Sequence, residues 1–481
     1  MTGGLDVSIR PLLPVIVLMV TAVVVLFVDV FGSRDRESHY GYLGVVGVAL
    51  AAWFTLGLWD KSSLTFAQTF ITDKLSVLTT MIYLLIAALT LLFSPGYLHH
   101  EGRNLGEYYA LVLFAVVGLI FMTSAQHLIL FFIGLEVLSI ALYALAGFVR
   151  QRDLCNEAAL KYLFLGGFSS AILLMGLAVI YSVTNSLYLH QVARYVVAHG
   201  ASATFILGMS LVMVGFFFKI SAAPFHAWAP DVYGGAPAPV AGFMATAAKV
   251  AVFAVILRFL DSAVFSLRSH WIAMVVVVSV LSMVIGNFAA LRQENIKRML
   301  AYSSIAHAGY ALVGVAAASR QGGAAVVFYM LAYSLMNLGA FGVVALVGRQ
   351  NESYVNISDY AGLAAKRPVL AAAMAICLFS LAGIPGTAGF MGKFYVFAAG
   401  VKAGQIPLVV IAVLNSAVAA YYYLRVVYMM YMEEPKEEYQ ISFHPAAVFA
   451  LLVIVVGIFQ LGIIPGSLLS VSYSSFALFT F

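Results

Sequence analysis

The stretch LILFFIGLEVLSIALYAL at residues 128–145 decides the class of this protein. It places one carboxylate, Glu136, in the middle of an apolar run that is long enough to cross most of a lipid bilayer. A charge at the bilayer centre costs about 2.5–3.5 kcal/mol on insertion scales and usually marks an ion pathway or a proton relay. Three lysines, Lys219, Lys249 and Lys393, are similarly submerged in apolar sequence. We therefore expect the function to lie with these four charges.

The sequence around these charges is that of a membrane protein throughout. Of its 481 residues, 63% are hydrophobic and 9% are charged, whereas a soluble protein carries about 25% charged residues. A spanning helix needs about 20 apolar residues, so the apolar blocks predict an all-α, polytopic membrane protein of about fourteen transmembrane helices. The first helix lacks a small-residue cleavage site after a short apolar core, so we expect a membrane span there and not a signal peptide. The predicted helices cover residues 11–31, 40–59, 75–95, 107–123, 126–148, 157–183, 203–229, 236–259, 270–290, 298–318, 322–347, 369–400, 404–431 and 446–470.

The predicted helices form one membrane domain over residues 1–481, because no long linker separates soluble domains. Within this domain we divide the predicted helices into four consecutive groups. The groups are three N-terminal helices over 1–106, a first repeat of helices four to eight over 107–260, a second repeat of helices nine to thirteen over 270–431, and the fourteenth helix over 446–470.

Two of the predicted helices contain residues that an ordinary span excludes. In the seventh, Pro224 removes a backbone donor and frees the carbonyl of Ile220. In the twelfth, Gly383, Pro385 and Gly386 fall close together. Irregular backbone at membrane depth is tolerated only inside protein or beside water, so both helices are predicted to be discontinuous. Each is the fourth helix of its five-helix repeat, a pattern typical of inverted-repeat transporters with a site near the midplane.

The four submerged charges suit proton transfer. A buried lysine readily changes its protonation state near neutral pH, and a carboxylate beside it favours the charged ammonium. We therefore expect Glu136 and Lys219 to act as an electrostatic switch, and Lys249 and Lys393 to carry protons further. The competing interpretations are a neutral Glu136 held by a hydrogen bond between helices, and lysines whose ammonium groups extend to the membrane surface.

Several other residues are weaker candidates. Lys161 lies near the start of the predicted sixth helix, from which its ammonium can reach the surface. His226 and His307 can relay protons near neutral pH, but they also suit packing roles. Further polar side chains could order water between the lysines or bond across helices as packing. These are Ser303, Ser304, Tyr310, Tyr333, Ser334 and Asn337.

Other chemistries find no support in the sequence. The two cysteines, Cys155 and Cys377, lack metal-ligand spacing, and neither a phosphate-binding loop nor histidines at haem spacing are present. We expect no cofactor and no metal in this chain. The basic residues are spread along the loops, which argues against binding of nucleic acid. Their distribution instead indicates how the chain is oriented in the membrane. More of them, including Arg34, Arg36 and Lys297, fall on the inner side if both termini lie outside.

Four motifs, in this order along the chain, resemble those of the antiporter-like subunits of respiratory complex I. They are GLEVLSIALYALAGF (134–148), KISAAPFHAWAPDVYGGAP (219–237), ENIKRMLAYSSIAHAGY (294–310) and AGIPGTAGFMGKF (382–394). The resemblance covers nearly the whole chain, and the family is related to subunits of multisubunit cation/proton antiporters. A chain that ends after fourteen helices, without a long lateral helix, and a lysine in the twelfth helix resemble the N-type members, the counterparts of mitochondrial subunit two.

This resemblance implies a role for each matching residue. Glu136 would be the fifth-helix glutamate that modulates Lys219, the seventh-helix lysine. Lys249 would be the central connecting lysine, and Lys393 would be the terminal proton donor or acceptor. Lys161 matches the sixth-helix lysine near the first pair.

The resemblance also implies a setting in a bacterial inner-membrane complex. NADH, FMN, iron–sulfur clusters and quinone, such as ubiquinone, would bind to partner subunits. This chain would contact the adjacent antiporter-like subunit M, the small subunit K, the lateral helix of subunit L and the lipid bilayer. Two alternatives stay open: a subunit of a multisubunit cation/proton antiporter, and a structural membrane scaffold whose buried charges are paired for packing.

Overall fold

The computed structural model describes residues 8–31, 39–348, 352, 355–435 and 444–476. These residues are almost entirely helical, apart from a two-stranded antiparallel hairpin of β1 (Ser63–Thr65) and β2 (Phe70–Thr72). The helices are α1 (Leu13–Phe31), α2 (His39–Leu56), α3 (Lys74–His100), α4 (Gly106–Thr123), α5 (Leu128–Ala146), α6 (Asp153–Thr184), α7 (Leu189–His199), α8 (Ala203–Lys219), α9 (Trp228–Gly235), α10 (Ala238–Ser262), α11 (Arg268–Leu291), α12 (Ile296–Ala316), α13 (Arg320–Val347), α14 (Leu363–Lys366), α15 (Pro368–Ala382), α16 (Ala388–Lys402), α17 (Ile406–Met432), α18 (Pro445–Ile463) and α19 (Gly466–Ser475).

The helix count confirms the predicted polytopic all-α fold. In the described part of the chain, twelve helices are long and apolar enough to cross a membrane. The other two predicted spans are broken, one into α8 and α9 and the other into α15 and α16. Each broken helix follows three unbroken spans of its predicted five-helix repeat. The two-fold relation between the repeats stays a prediction, and Arg34 and Arg36 lie outside the described residues.

The C-terminal helix differs from the prediction. The sequence predicted one helix over residues 446–470, but the chain leaves the helix after Ile463 and starts α19 at Gly466. Pro465 explains the division, because proline has no backbone N–H and clashes with the preceding helical turn. The sequence interpretation also missed the short helix α7 and the hairpin that precedes α3.

Glycines let the helices that carry the submerged charges approach their neighbours closely. A Cβ atom at Gly118 in α4 would lie 2.7 Å from the carbonyl oxygen of Gly134 in α5. A Cβ atom at Gly134 would lie 2.7 Å from the backbone nitrogen of Met122. Small residues of this kind allow membrane helices to pack backbone against backbone. The contact fixes α5 against α4 two residues before Glu136.

Helix α10 lies inside the fold and is buried over its full apolar length. At its C-terminal end, Arg258 donates two hydrogen bonds, of 2.7 and 2.9 Å, to the carboxylate of Asp73. At its N-terminal end, the backbone N–H of Ala238 donates to the carboxylate of Glu352 at 2.8 Å. Removing one partner of the buried Arg258–Asp73 ion pair would cost about 3–5 kcal/mol. The two contacts therefore hold both ends of the helix that carries Lys249.

Candidate functional site

The structure buries the three lysines that the sequence singled out. Lys249 exposes 1% of its surface, Lys219 4% and Lys393 5%. Snorkelling to the membrane surface is therefore excluded for all three, since their ammonium groups end inside the protein. Glu136 is only partly buried and lies on the outer side of α5, between the exposed Ile133 and Ile140.

Lys219 is the last residue of α8, and its ammonium crosses to α5. Its Nζ atom donates to the Ser139 hydroxyl at 2.7 Å. The same atom lies 5.7 Å from the centre of the Tyr143 ring and 5.5 Å from that of Tyr162. Such cation–π contacts favour the ammonium form by about 0.5–2 kcal/mol. Among the described residues, the groups that contact the Lys219 ammonium directly are thus neutral.

Glu136 lies beside this lysine without pairing with it directly. Its Oε1 atom accepts a 2.6 Å hydrogen bond from Ser170 of α6. Ser139, which binds Lys219, is three residues further on the same face of α5. The carboxylate is close enough to act on the ammonium electrostatically. Among the described residues, however, the carboxylate is hydrogen-bonded to Ser170 and the ammonium to Ser139. The predicted pair is therefore close in space, but its two members are bound to different serines.

The break after α8 begins earlier than Pro224 predicts. The helix already ends at Lys219, and Ser221 adopts a left-handed conformation with φ of 59°. The Trp228 indole donates to the carbonyl of Phe218 at 3.1 Å, so that carbonyl is satisfied. His226 lies in this break, partly buried, and its Nδ1 atom has no hydrogen-bond partner among the described residues.

Lys393 binds to the end of the helix that precedes its own. From α16, its Nζ atom donates to the carbonyls of Leu381 (3.0 Å) and Ala382 (2.9 Å) at the end of α15. It also donates to the Ser416 hydroxyl at 2.7 Å and lies 5.0 Å from the centre of the Tyr310 ring. The C-terminal carbonyls of a helix carry partial negative charge. The break at Gly383, Pro385 and Gly386 thus supplies the ligands of the lysine.

Lys249 occupies the space between α10 and the second repeat. Its ammonium donates to the backbone carbonyl of Ser304 in α12. It lies 5.9 Å from the centre of the Tyr333 ring, and the Tyr333 hydroxyl donates to the Ser304 hydroxyl at 2.8 Å. Lys249 therefore contacts two of the residues that the sequence proposed for ordering water.

His307 lies between Lys249 and Lys393, close enough to both to interact with their charges. Its Nδ1 atom is 2.6 Å from the Tyr329 hydroxyl, and its Nε2 atom is 3.1 Å from the Tyr423 hydroxyl. Its ring meets the edge of Tyr310, the residue whose ring lies against Lys393. A histidine with a hydroxyl at each ring nitrogen can accept a proton on one side and release one on the other.

The remaining polar candidates have mixed surroundings. Ser303 hydrogen-bonds to Tyr423, and the Tyr310 hydroxyl is bound by the Asn287 amide at 3.0 Å. Ser334 donates back to the carbonyl of Met330 in its own helix, as a packing serine does. Asn337 is fully buried, and neither polar atom of its side chain has a partner among the described residues.

Lys161 forms ion pairs near the start of α6. Its ammonium lies 2.6 Å from Glu157 and 2.8 Å from Asp231, and its side chain is 39% exposed. Asp231 also binds Arg298 at 2.7 Å. Exposed pairs of this kind contribute about 0–1 kcal/mol to stability. The Glu157–Lys161 spacing of four residues could have revealed the first pair in the sequence.

Sequence reasoning missed a second group of buried charges around Glu352. Its carboxylate accepts hydrogen bonds from the Tyr97 hydroxyl (2.6 Å), the Ala238 N–H (2.8 Å), Arg152 (2.9 Å) and Lys297 (2.5 Å). The sequence placed Lys297 among surface charges, but the structure buries it completely. Burial raises the pKa of Glu352, but Lys297 and Arg152 outweigh this effect and lower the pKa to about 2. Glu352 is therefore a fixed negative charge.

The cysteines and the possible metal ligands can be examined in the part of the chain that the structure describes. Among the described residues, no group of three or more His, Cys, Asp or Glu side chains is arranged to hold a metal ion. The two cysteines, Cys155 and Cys377, are free and buried. The roles assigned to the lysines, Glu136 and the histidines stay predictions, now with defined contacts.

Comparison with known proteins gives consistent matches. The sequence profile of the family described as NADH:quinone oxidoreductase/Mrp antiporter, TM, matches residues 125–419. The chain is 44% identical to NADH-quinone oxidoreductase subunit N of Trichlorobacter lovleyi over 96% of each chain. It is 41% identical to the protein of that name from Chloroflexus aggregans over 95% of each chain. A chain in the structure of respiratory complex I from Thermus thermophilus is 35% identical, with a TM-score of 0.82 over 95% of this chain and 99% of that one.

Proposed function

Because this chain belongs to the NADH:quinone oxidoreductase/Mrp antiporter family of membrane subunits, as a member of its complex I subunit N branch, we propose that it moves protons across the membrane. The observation that carries this proposal is the series of contacts from Lys249 through Tyr333, His307 and Tyr310 to Lys393. Electron transfer in partner subunits would supply the energy. Each charge moved against 100 mV requires about 2.3 kcal/mol.

The ligands of the lysines support a carrier role. Lys219, Lys249 and Lys393 are bound by hydroxyls, backbone carbonyls and aromatic rings. Loss of a proton from any of them therefore leaves no buried carboxylate unpaired. Glu352 is different, because neutralising Lys297 or Arg152 beside it would leave a buried charge uncompensated, at several kcal/mol. We infer that the three lysines exchange protons and that the Glu352 group does not.

The connection between Lys219 and Lys249 would run through water. The Tyr233 hydroxyl lies near Ser221 in the break after α8 and near Tyr333, which lies beside Lys249. The Ser221 hydroxyl is buried without a hydrogen bond of normal geometry among the described residues. A buried polar group without a partner costs about 1–3 kcal/mol, and ordered water commonly removes this cost.

The proposed partner subunits would bind at the two ends of the row formed by Glu136, Lys219, Lys249 and Lys393. Glu136 is partly exposed at bilayer depth, where an uncovered carboxylate is costly, so a neighbouring subunit such as K would cover it. At the other end, a groove of 630 Å³ lined by Lys393 and Phe394 opens beside α16, where subunit M would bind. The lateral helix of subunit L would cross this chain.

The proposed setting is a bacterial inner membrane, with both termini outside. NADH, FMN, iron–sulfur clusters and quinone would bind to other subunits, and this chain would be a non-redox part of the enzyme. A cation/proton antiporter subunit is the second candidate, since the matching family includes Mrp antiporters. Redox subunits that co-purify with this chain would favour the first candidate, and antiporter subunits would favour the second.

The test compares Lys219→Ala and Glu136→Ala in the assembled complex with Lys402→Ala, an exposed lysine at the end of α16. We expect Lys219→Ala to lower proton pumping at least about tenfold, as loss of a positioned proton carrier does. Glu136→Ala should lower it less, and Lys402→Ala should leave it unchanged. Pumping is measured in inverted membrane vesicles as protons moved per NADH oxidised. Normal pumping by Lys219→Ala in a fully assembled complex would contradict the proposal.

A further inference from the structure

A groove of 730 Å³ lies between α4, α5 and α6, at the membrane face where α5 ends and α6 begins. Its lining includes charged and polar side chains near the helix ends, namely Arg103, Glu107, Arg150 and Asn156. Deeper along α5, the lining includes Tyr143. The outer part of the groove therefore carries three charged side chains and one amide among apolar neighbours such as Leu105 and Phe148, and the groove reaches one helical turn into α5.

Tyr143 separates this groove from Lys219. Its ring lines the groove, and the centre of the same ring lies 5.7 Å from the Lys219 ammonium. Ser139, the hydrogen-bond acceptor of Lys219, is one turn deeper on the same face of α5. Moving inward along the helix, the groove is thus followed by Tyr143, Ser139 and the lysine.

The hydroxyl of Tyr143 has the freedom that a relay group needs. Its oxygen is buried and makes no hydrogen bond of normal geometry among the described residues, although it is close enough to Ser139 to interact with it. It lies directly against α6, because a Cβ atom at Gly166 would come within 2.1 Å of it. An unpaired buried hydroxyl is costly, so retaining one here points to a role beyond packing.

We propose that protons reach Lys219 through this groove and that Tyr143 and then Ser139 are the last two relays before it. When a rotation of the Tyr143 side chain brings its oxygen to the inner end of the groove, a hydronium ion there gives a proton to this oxygen as the tyrosine passes its own proton to the Ser139 oxygen. Ser139 in turn passes its proton to the neutral amine of Lys219. The hydronium becomes water, the amine becomes ammonium, both hydroxyls are restored, and no electrons move. This inference rests on the proposed function of Lys219.

A second cavity near this membrane face fits the role less well. It measures 130 Å³ and is lined by Lys161, Asp231 and Arg298. These three side chains are bound to one another in ion pairs of 2.7–2.8 Å. A proton that bound Asp231 would break both pairs, so the cavity opposes proton transfer. The groove at Tyr143 has no such paired carboxylate next to Lys219.

The first test is Tyr143→Phe in the assembled complex. This change removes the hydroxyl but keeps the ring that faces Lys219. Positioned proton-transfer groups contribute about a hundredfold or more to rate, so we expect protons pumped per NADH oxidised to fall at least about tenfold, as in Lys219→Ala. Normal pumping by Tyr143→Phe, together with lowered pumping by Lys219→Ala, would overturn the proposed route but not the proposed function of Lys219. Normal pumping by both variants would overturn the function of Lys219 as well.

A pair of adjacent glycines gives a matched test. Gly166→Ala places a methyl group on the Tyr143 hydroxyl and should displace it, whereas Gly167 faces open space and its alanine variant should pump normally. Both variants replace a glycine by an alanine in the same helix, so helix propensity rises equally in both. The two variants therefore differ in the contact with Tyr143. Equal pumping by the two variants would contradict the relay.

Access of water to the groove can be tested with a charged, membrane-impermeant thiol reagent. Ala159 lines the groove, whereas Phe164 lies further along α6 and is 63% exposed on the lipid side. We expect Ala159→Cys to react from the face that carries Arg150, with loss of pumping, and Phe164→Cys not to react. Both native cysteines are buried. An unreactive Ala159→Cys in the intact complex would show that lipid or a partner fills the groove, and would overturn the proposal.

Discussion

Each of the two broken helices carries one buried lysine, but the two lysines lie on opposite sides of their breaks and have different surroundings. Lys219 ends the first half of its helix and reaches across to a serine of α5, with a carboxylate nearby. Lys393 lies in the second half of its helix and reaches back to two carbonyls at the end of the first half. The first ammonium is held by side chains, and the second is held mainly by backbone.

This difference indicates different tasks. Side-chain ligands can move, and a neighbour that shifts Glu136 would change how strongly Lys219 holds its proton. Backbone carbonyls at a helix end are fixed by the helix itself and by its dipole. We therefore infer that the proton affinity of Lys219, at the first break, is switched during pumping. The proton affinity of Lys393, at the second break, would stay constant.

Both sites depend on a common frame, and disrupting it should have the largest effect. Glu352→Ala would leave Lys297 and Arg152 buried without their counter-charge, at about 3–5 kcal/mol. We expect the subunit to leave the purified complex at lower temperature, with both sites lost together. Glu352→Gln keeps the shape and is the matched control, with a smaller loss. The measurement is the temperature at which the subunit leaves the complex. The same release temperature in Glu352→Ala as in the unchanged protein would contradict a shared frame.

The same carboxylate predicts how stability depends on pH. The pKa of Glu352 is lowered to about 2 in the folded protein, against about 4.3 for an ordinary glutamate. Its contribution, about 3 kcal/mol, is present above pH 4.3 and is lost as the pH falls towards 2. Thermal release of the subunit, measured between these pH values, should therefore become easier with acid. Glu352→Gln should show less of this dependence, and an identical slope would exclude Glu352 as its source.

The next prediction separates the two lysine sites. Ser139→Ala removes the hydrogen-bond acceptor that the structure gives to Lys219. Ser416→Ala removes one of three acceptors of Lys393 and leaves both carbonyls. Losing a hydrogen bond to a charged group costs about 1.5–3 kcal/mol, so pumping should fall about tenfold in the first variant and about twofold or less in the second. Pumping per NADH oxidised measures both, and equal losses would remove the proposed difference.

The smallest effect concerns the backbone of the two breaks. The second break uses Gly383 at φ of 93°, whereas the first uses Ser221 at φ of 59°. Gly383→Ala should destabilise the subunit by about 1–2 kcal/mol, because a side chain is strained in this conformation. Ser221→Gly should be neutral or slightly stabilising for the same reason. Thermal release from the complex distinguishes them, and a destabilising Ser221→Gly would show that its hydroxyl matters more than backbone strain.

Much of the fold could be predicted from the sequence, because membrane spans need long apolar runs. The positions of Lys219, Lys249 and Lys393 in such runs also predicted their burial. Their ligands could not be predicted, since serines and backbone carbonyls occur throughout the chain and only packing selects among them. The Glu352 group was missed because its partners come from four distant segments.

The central claim is that Lys219, Lys249 and Lys393 share one hydrated proton path. The most direct measurement is a structure of the whole complex at a resolution that shows internal water. We expect ordered water between Ser221 and Tyr333, joining the first two lysines, and hydrogen-bonded contacts from His307 towards Lys393. A dry, apolar seam between Lys219 and Lys249 would contradict the claim.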